Sequence, residues 1–182
     1  MNVIGKKVYL RAMEPEDMEI LREMTNNPDM ERKIAGWSFP VSRIQQQEWY
    51  EKSTNNNNIR LSIIHKKNDK FLGMLNLVDI DWKNGTAFHG IRLSDGTPKG
   101  KGIGTDAIMI LMKYAFEELR LHRLDGGRII DNIASEKLYK KCGWKDEGLR
   151  REAVFCQGAY FDYVYMGILD KDYYSVKKGL GY

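Results

Sequence analysis

Hydrophobic and polar positions recur along the chain with the period of a helix in four segments. Residues 106–119 are the clearest case, because Ile108, Leu111, Ala115 and Leu119 line one face of a helix. The segment 42–52 opens with Ser42, and the capping-box spacing to a glutamine three residues later marks a helix start. The predicted helices are residues 16–25, 42–52, 106–119 and 133–141.

Strict alternation of apolar and polar residues predicts strands elsewhere. Asn84-Gly85 joins two alternating runs and is a strong hairpin signal, whereas Gly126-Gly127 weakens the strand that contains it. The predicted strands are residues 60–65, 71–80, 86–93, 124–130, 147–156 and 159–169. This order predicts an α+β fold with a mixed, mainly antiparallel sheet.

Composition narrows the class of protein. A chain of 182 residues with 42% hydrophobic residues can bury one full core, so a single domain over 1–182 is expected. A net charge of +4, spread along the chain, is too small to indicate a nucleic-acid partner. Cys142 and Cys156 are too few for a metal cluster or a disulfide framework. Without a long apolar run or a signal peptide, we expect a cytoplasmic protein with no membrane partner and no metal.

The segment most informative about function is the glycine loop, residues 99–105. An apolar strand pattern runs into three alternate glycines and then directly into a predicted helix. Glycines let the backbone approach an anion, and the free N–H groups and the dipole of the helix start attract phosphate. Lys99 and Lys101 add positive charge at the same place. The alternative is a flexible surface turn of glycine and lysine.

Two other phosphate motifs fit the glycine loop less well. A P-loop requires a Gly-Lys-Ser/Thr ending that the segment does not have. Gly102, Gly104 and Ala107 satisfy a dinucleotide fingerprint, with Asp125 about twenty residues downstream. That fingerprint belongs to a parallel βαβ unit, whereas the Asn84-Gly85 hairpin predicts an antiparallel strand before the loop. A dinucleotide-binding oxidoreductase is therefore the weaker interpretation.

Two motifs resemble signatures of the GNAT superfamily of N-acetyltransferases. Residues 99–104 resemble its Gln/Arg-x-x-Gly-x-Gly/Ala motif, with Lys99 in place of the first residue. Residues 132–144 resemble its Asn-x-x-Ser/Ala-x-x-x-Tyr-x-x-x-Gly-Phe signature, with Trp144 for phenylalanine. Residues 9–17 are similar to the opening of the branch that contains ribosomal-protein acetylases and spermidine acetyltransferases. The resemblance covers about Val8 to Ile168 and implies the GNAT fold, with about seven strands and about four helices.

The resemblance implies acetyl-CoA as co-substrate, held where the strand before the glycine loop separates from residues 124–130. Strand backbone groups would pair with the pantetheine amides, and loop amides would hold the diphosphate. Asn132 would hydrogen-bond the pantetheine arm or cap the following helix. The implied coenzyme-binding residues are Arg92, Leu93, Ser94, Lys99, Gly100, Lys101, Gly102, Ile103, Gly104, Thr105, Asn132 and Ser135.

Tyr139 and His89 are the candidate catalytic residues. Tyr139 stands where the family's tyrosine reaches the coenzyme sulfur, and a phenol can donate a proton to a departing thiolate. His89 lies near the position where relatives carry a glutamate base, and its ordinary pKa suits that role. Either residue could instead belong to the core. Glu14 and Glu16-Asp17 are competing bases, and no base is needed if the amine arrives neutral.

The acceptor is the least defined part of the prediction. Aromatic residues with nearby carboxylates would suit a polyamine, but they equally suit a hydrophobic core. We expect a small-molecule primary amine such as a polyamine; a protein N-terminus, an aminoglycoside or an amino sugar stay open. A silent acyl-CoA-binding regulator is the alternative to an enzyme, and a homodimer is common in similar proteins. The aromatic candidates are Trp37, Phe39, Trp49, Tyr50, Tyr160, Phe161 and Tyr163.

Overall fold

The chain forms one sheet of eight strands, in the order β1-β2-β3-β4-β5-β6-β8-β7. The structure is a computed structural model that describes residues 2–31, 33, 39–53 and 55–182, so Trp37 lies outside the described residues. The strands are β1 Val3–Ile4, β2 Val8–Ala12, β3 Ile59–His65, β4 Phe71–Asp81, β5 Thr86–Leu93, β6 Arg123–Ile129, β7 Lys145–Cys156 and β8 Ala159–Leu169. The α-helices are α1 Met18–Asn26, α2 Pro28–Glu31, α3 Arg43–Lys52, α4 Ile103–Lys113, α5 Ile133–Lys141 and α6 Asp170–Leu180.

These elements confirm an α+β fold with a mainly antiparallel sheet, and they exceed the expected numbers of strands and helices. The additional elements include β1, with two residues, and α2, with four, both too short to show a hydrophobic period. The third additional element is helix α6, in which Tyr173 is the one buried residue. Helix α4 also ends earlier than expected, because residues Tyr114–Glu118 continue it as a π-helical turn.

One strand pair is parallel, and it determines where the sheet opens. Strands β5 and β6 pair only from Thr86 opposite Arg123 to Phe88 opposite Asp125. Beyond these residues both strands continue, but they no longer pair with each other. We call the resulting gap the strand cleft.

The two faces of the sheet carry separate hydrophobic cores. Helix α4 packs on one face, where Ile108 and Leu111 meet Leu75 and Leu124 in the larger cluster. Helix α1 packs on the other face, where Met24 contributes to a smaller cluster. Alternation along a strand therefore decides which core each side chain joins.

Two local predictions can be followed to their physical causes. Ser42 and Gln45 form both hydrogen bonds of the capping box at the start of α3. Asn84 and Gly85 close the β4–β5 hairpin as predicted, although the turn takes four residues, and Gly85 adopts a φ of +66°. Asp81 stabilises this turn by accepting hydrogen bonds from the backbone N–H groups of residues 83 and 84.

Candidate active site

The glycine loop and α4 present a set of free backbone N–H groups at the mouth of the strand cleft. Gly100 and Gly102 have φ values of +71° and +76°, which glycine adopts without strain. The first intrahelical bond runs from the Asp106 N–H to the Gly102 carbonyl. The N–H groups of residues 103–105 therefore have no acceptor within the helix and can bind an anion.

Gly104 has a packing role as well. A Cβ at this position would lie 3.1 Å from the Leu138 side chain and 3.5 Å from Leu93. The missing side chain therefore lets α4 approach both α5 and the end of β5. This close approach keeps the helix start next to the strand cleft.

Lysines from distant parts of the chain surround the glycine loop. Together with the loop they line a cavity of about 610 Å³, which we call the lysine basin. Such a concentration of positive charge beside free N–H groups suits a ligand with several phosphates. The basin residues outside the loop are Lys6, Lys7, His65, Lys66, Lys67, Pro98 and Lys141.

A buried carboxylate holds two of these lysines in place. Asp106 is 1% exposed and accepts hydrogen bonds from the backbone N–H groups of Lys6, Lys7 and Val8, at 3.0, 2.6 and 2.9 Å. The Tyr182 hydroxyl donates a fourth bond to Asp106, at 2.6 Å. The Lys7 ammonium then reaches the Lys101 carbonyl at 2.5 Å. The turn between β1 and β2 is thereby fixed against the glycine loop.

The backbone of β5 directs alternate residues toward the strand cleft. The Ser94 N–H donates to the Leu72 carbonyl at 2.8 Å, so it faces β4 and not the cleft. The His89 carbonyl lies on the opposite side, next to Gly126 of β6. Because main-chain groups alternate along a strand, those of Ile91 and Leu93 also face the cleft. Leu93 was predicted for this role, whereas Ile91 was not.

Asn132 caps α5, which confirms one of its two predicted roles. Its side-chain oxygen accepts the Ser135 N–H at 3.0 Å, and its amide N–H donates to the Lys33 carbonyl at 3.1 Å. The cap places the helix start at the open end of β6. Contact of Asn132 or Ser135 with a coenzyme stays a prediction.

Tyr139 lies where β5 and β6 separate. Its ring centroid is 5.8 Å from that of His89 and 5.0 Å from that of Trp144. The residue is 4% exposed, and burial raises the pKa of its phenol. No described residue accepts a hydrogen bond from the hydroxyl. Tyr139 therefore keeps its proton at neutral pH and has it available for a ligand.

His89 is part of the same aromatic cluster and is buried. Its Nδ1 lies 3.0 Å from the Asn76 carbonyl, which only accepts, so Nδ1 carries the proton and Nε2 keeps a lone pair. Nε2 has no partner among the described residues. Burial lowers the pKa of His89 to about 4. A neutral imidazole with this pKa is a weak base, and a role for His89 as the base stays a prediction.

The other predicted residues divide between core and surface. Trp49 and Tyr50 pack against the smaller core, whereas Phe39 and Tyr160 are exposed. The Tyr163 ring lies over β6, where a Cβ on Gly127 would be 2.2 Å from its hydroxyl. The two glycines that weaken the β6 pattern are therefore the places where aromatic rings cover the strand, since Trp144 similarly covers Gly126.

Two of the three competing acidic bases, Asp17 and Glu14, have structural partners. Asp17 accepts hydrogen bonds from Arg11 and from the Ser62 hydroxyl, at 2.7 and 2.6 Å. Burial would raise the pKa of Asp17, but these hydrogen bonds outweigh it and lower the pKa. Glu14 caps the short 3-10 helix that precedes α1. Within the described residues, no three metal-ligating side chains are grouped, and no helix is long and apolar enough to cross a membrane.

Sequence reasoning did not predict the basin lysines or Asp106. The turns that carry the lysines read as ordinary solvated loops, and Asp106 is almost 100 residues from the amides that it binds. The paired lysines at positions 6–7 and 66–67 are the only local signal for the basin. Their convergence depends on the β1–β2–β3 pairing, which no local pattern reveals.

A mixed sheet that opens beside a glycine loop at a helix start, with a protonated tyrosine in the opening, defines a coenzyme-binding acyltransferase. The Acetyltransferase (GNAT) domain family matches residues 7–145, and the chain belongs to this family. It is an acetyl-CoA-dependent N-acetyltransferase of the GNAT type.

Individual relatives cover nearly the whole chain. It is 31% identical over 176 residues to the probable N-acetyltransferase YjcK of Bacillus subtilis, covering 92% of this chain and 97% of that protein. It is 27% identical over 183 residues to the putative ribosomal N-acetyltransferase YdaF of the same organism, covering 96% and 97%. The crystal structure of spermidine N-acetyltransferase from Vibrio cholerae in complex with CoA and spermine superposes with a TM-score of 0.84. The identity there is 25%, with 92% of this chain and 98% of that chain covered.

Proposed function

We propose that the protein transfers the acetyl group of acetyl-CoA to the primary amine of a small molecule, by direct attack while both substrates are bound. The observation that carries the proposal is the placement of Tyr139 in the strand cleft, with its proton held by burial and its hydroxyl unbonded to the described residues. Acetyl-CoA supplies an acetyl group that is already activated as a thioester.

The chain offers binding groups for each part of the coenzyme. The free N–H groups of residues 103–105 and the lysine basin would hold the phosphates. The main-chain groups of Ile91 and Leu93 would pair with the pantetheine amides as a neighbouring strand does. The arm would thereby lie between β5 and β6 and lead toward Tyr139.

In the reaction, the amine nitrogen forms a bond with the acetyl carbon as the bond from that carbon to sulfur breaks. Tyr139 gives its proton to the departing sulfur and regains one from the amine nitrogen, so the products are an amide and a free thiol. A cleft N–H group of β5 would stabilise the negative charge that develops on the carbonyl oxygen. This sequence of steps needs a neutral amine but no strong base.

The experiment is to measure free thiol released from acetyl-CoA in the presence of a panel of amines. Tyr139→Phe removes only the hydroxyl and should lower kcat by about ten- to a thousandfold with little change in acetyl-CoA affinity. Tyr174→Phe is the matched control, because Tyr174 is an exposed tyrosine on α6 and should leave kcat unchanged.

Either a silent acyl-CoA binder or a different acid would contradict the proposal. Tight acetyl-CoA binding with no thiol release from any amine indicates the silent binder. Thiol release that is equal in the wild type and Tyr139→Phe removes Tyr139 from the mechanism. The polyamine acceptor finds support in the relatives named spermidine N(1)-acetyltransferase at 27% identity, and it stays a prediction to be tested in the same panel.

A further inference from the structure

Arg92 projects from β5 onto the sheet face that carries α1, beside the strand cleft. We call this the acceptor face, because the proposed acceptor would bind here. Its neighbours Ile91 and Leu93 pack into the larger core, so alternation turns Arg92 to the opposite face. There its Nη1 donates to the Thr25 hydroxyl near the end of α1, at 2.9 Å. The side chain therefore stands one residue from the cleft-facing backbone of β5, on the side away from α4.

Arg92 has no carboxylate partner among the residues that the structure describes. The hydrogen bond to Thr25 uses one of five guanidinium N–H donors, and no described carboxylate forms an ion pair with Arg92. Arg128, which is more deeply buried in the other half of the sheet, pairs with Asp146 at 3.2 Å. Because a charged group that is partly withdrawn from water needs a partner, Arg92 is built to receive one from outside the chain.

A second arginine lies on the same face. Arg60 of β3 lies opposite Asn76 of β4, which lies opposite Gly90, two residues before Arg92. Strand spacing places the two arginine Cα atoms about 12 Å apart. The Arg60 guanidinium lies 5.3 Å from the centre of the Trp49 ring and donates to the Ser53 carbonyl, and the charge of Asp79 acts on it without a direct ion pair.

Three carboxylates that flank this face already have partners within the chain. Asp17 pairs with Arg11, and Glu19 pairs with two arginines, one of them Arg43. Asp95 accepts from the Asn27 amide at 2.7 Å and has Lys33 at 3.5 Å. In the sequence, residues 32–47, which connect α2 to α3 and begin α3, contain three basic residues and no acidic one. To form an ion pair with any of these three carboxylates, a polyamine would have to displace or share an existing partner.

We propose that the acceptor is a small amine that also carries a carboxylate, and that the Arg92 guanidinium binds this carboxylate. A guanidinium and a carboxylate form paired, directional hydrogen bonds, which would fix the amine relative to the cleft. The surrounding positive charge also favours the neutral form of the amine, which is the form that attacks. This inference rests on the proposed function and specifies its substrate class.

The test compares amines in matched pairs that differ only by the carboxylate, such as lysine with cadaverine, ornithine with putrescine, and phenylalanine with phenethylamine. Spermidine is included as the polyamine. For at least one pair, wild-type kcat/KM should be ten times or more higher for the amino acid than for its decarboxylated partner. Arg92→Gln should lower kcat/KM for that amino acid about a hundredfold and leave that of the partner amine within about threefold.

Two further variants separate recognition from folding. Arg92→Glu should reverse the preference within the pair toward the diamine, a result that mere loss of structure does not produce. Arg22→Gln is the matched control, since Arg22 lies on α1 and pairs with Glu19, and it should keep the wild-type preference. Acetyl-CoA binding measured by calorimetry shows that each variant is folded.

The outcomes distinguish this inference from the proposed function. Thiol release with spermidine or the decarboxylated amines above all the amino acids would overturn the inference and leave the N-acetyltransferase function intact. An equal loss for both members of a pair in Arg92→Gln would make Arg92 structural and also overturn it. Acetyl-CoA binding without thiol release from any amine would overturn the proposed function itself, and the inference with it.

Discussion

His89 makes the stability of the protein depend on pH in a way that can be worked out from its burial. The ring is 1% exposed, and its pKa falls from the model-peptide value of 6.5 to about 4. The unfolded chain therefore binds a proton at this residue in a pH range where the folded protein does not. The contribution of neutral, buried His89 to the free energy of unfolding is fully present above pH 6.5. It is lost as the pH falls toward 4.

The magnitude follows from the two pKa values. Between about pH 8 and about pH 5, the linkage relation gives a loss of about 2 kcal/mol from this one residue. Below the folded pKa the loss approaches its limit of about 3 kcal/mol. Losses of this size are a substantial part of the stability of an ordinary domain.

The assay is urea unfolding at about pH 8 and about pH 5, for the wild type and for His89→Gln. Glutamine keeps an N–H donor for the Asn76 carbonyl and does not titrate, so the variant should lose about 2 kcal/mol less than the wild type over this range. His122→Gln is the matched control, because its side chain is 62% exposed and the variant still contains His89. The free energy of unfolding of His122→Gln should fall by as much as that of the wild type over this pH range.

An equal loss in the wild type and His89→Gln would refute the reasoning, since His89 would then titrate alike in the folded and unfolded chains. The same outcome would favour His89 as a catalytic base, because its pKa would be close to neutral. With a pKa of about 4, His89 instead holds the Tyr139 ring by contact and contributes no titration near pH 6.5 to the pH profile of kcat.

Two other substitutions test the machinery around the glycine loop. Gly104→Val should weaken CoA binding at least tenfold in calorimetry, since even a Cβ there meets Leu138 at 3.1 Å, whereas Gly148→Ala, at a position with open space, should bind normally. Unchanged affinity in a folded Gly104→Val would separate the loop from the coenzyme. Asp106→Asn should cost about 3 kcal/mol in urea unfolding, because an amide N–H would face the N–H groups that the carboxylate now accepts. Tyr182→Phe removes only one of the four bonds to Asp106 and should cost about 1 kcal/mol; equal losses in the two variants would contradict this account.

Local patterns were sufficient for most of the sheet and for the glycine loop. The bounds of β5, β8 and α5 are those predicted, because each element has a clear period and ends at a turn or a cap. The direction of a side chain depends instead on strand register. His89 reads as an available base in the sequence, but its register buries it against Tyr139 and Trp144.

Local sequence patterns do not show which charged side chains pair with each other. The acceptor was therefore predicted from aromatic residues and overall composition. A net charge of +4 gives no indication of where the unpaired cations lie. Pairing is settled by contacts between distant segments, such as that of Arg11 with Asp17. Only when these pairs are known does Arg92 stand out as a guanidinium without a carboxylate.

The distribution of charge on the two faces of the sheet connects coenzyme binding with the chemistry of the amine. On the α4 side, the lysine basin offers positive charge to phosphates, which would neutralise it if the coenzyme binds there as proposed. On the acceptor face, the charge of Arg92 would stay unneutralised until an acceptor carboxylate arrives. An acceptor with that carboxylate supplies the missing partner of Arg92, and the cations around it oppose protonation of its amine. The amine would then be neutral as it meets the thioester, so the proposed reaction needs no strong base and uses the proton of Tyr139, with His89 packed against the Tyr139 ring.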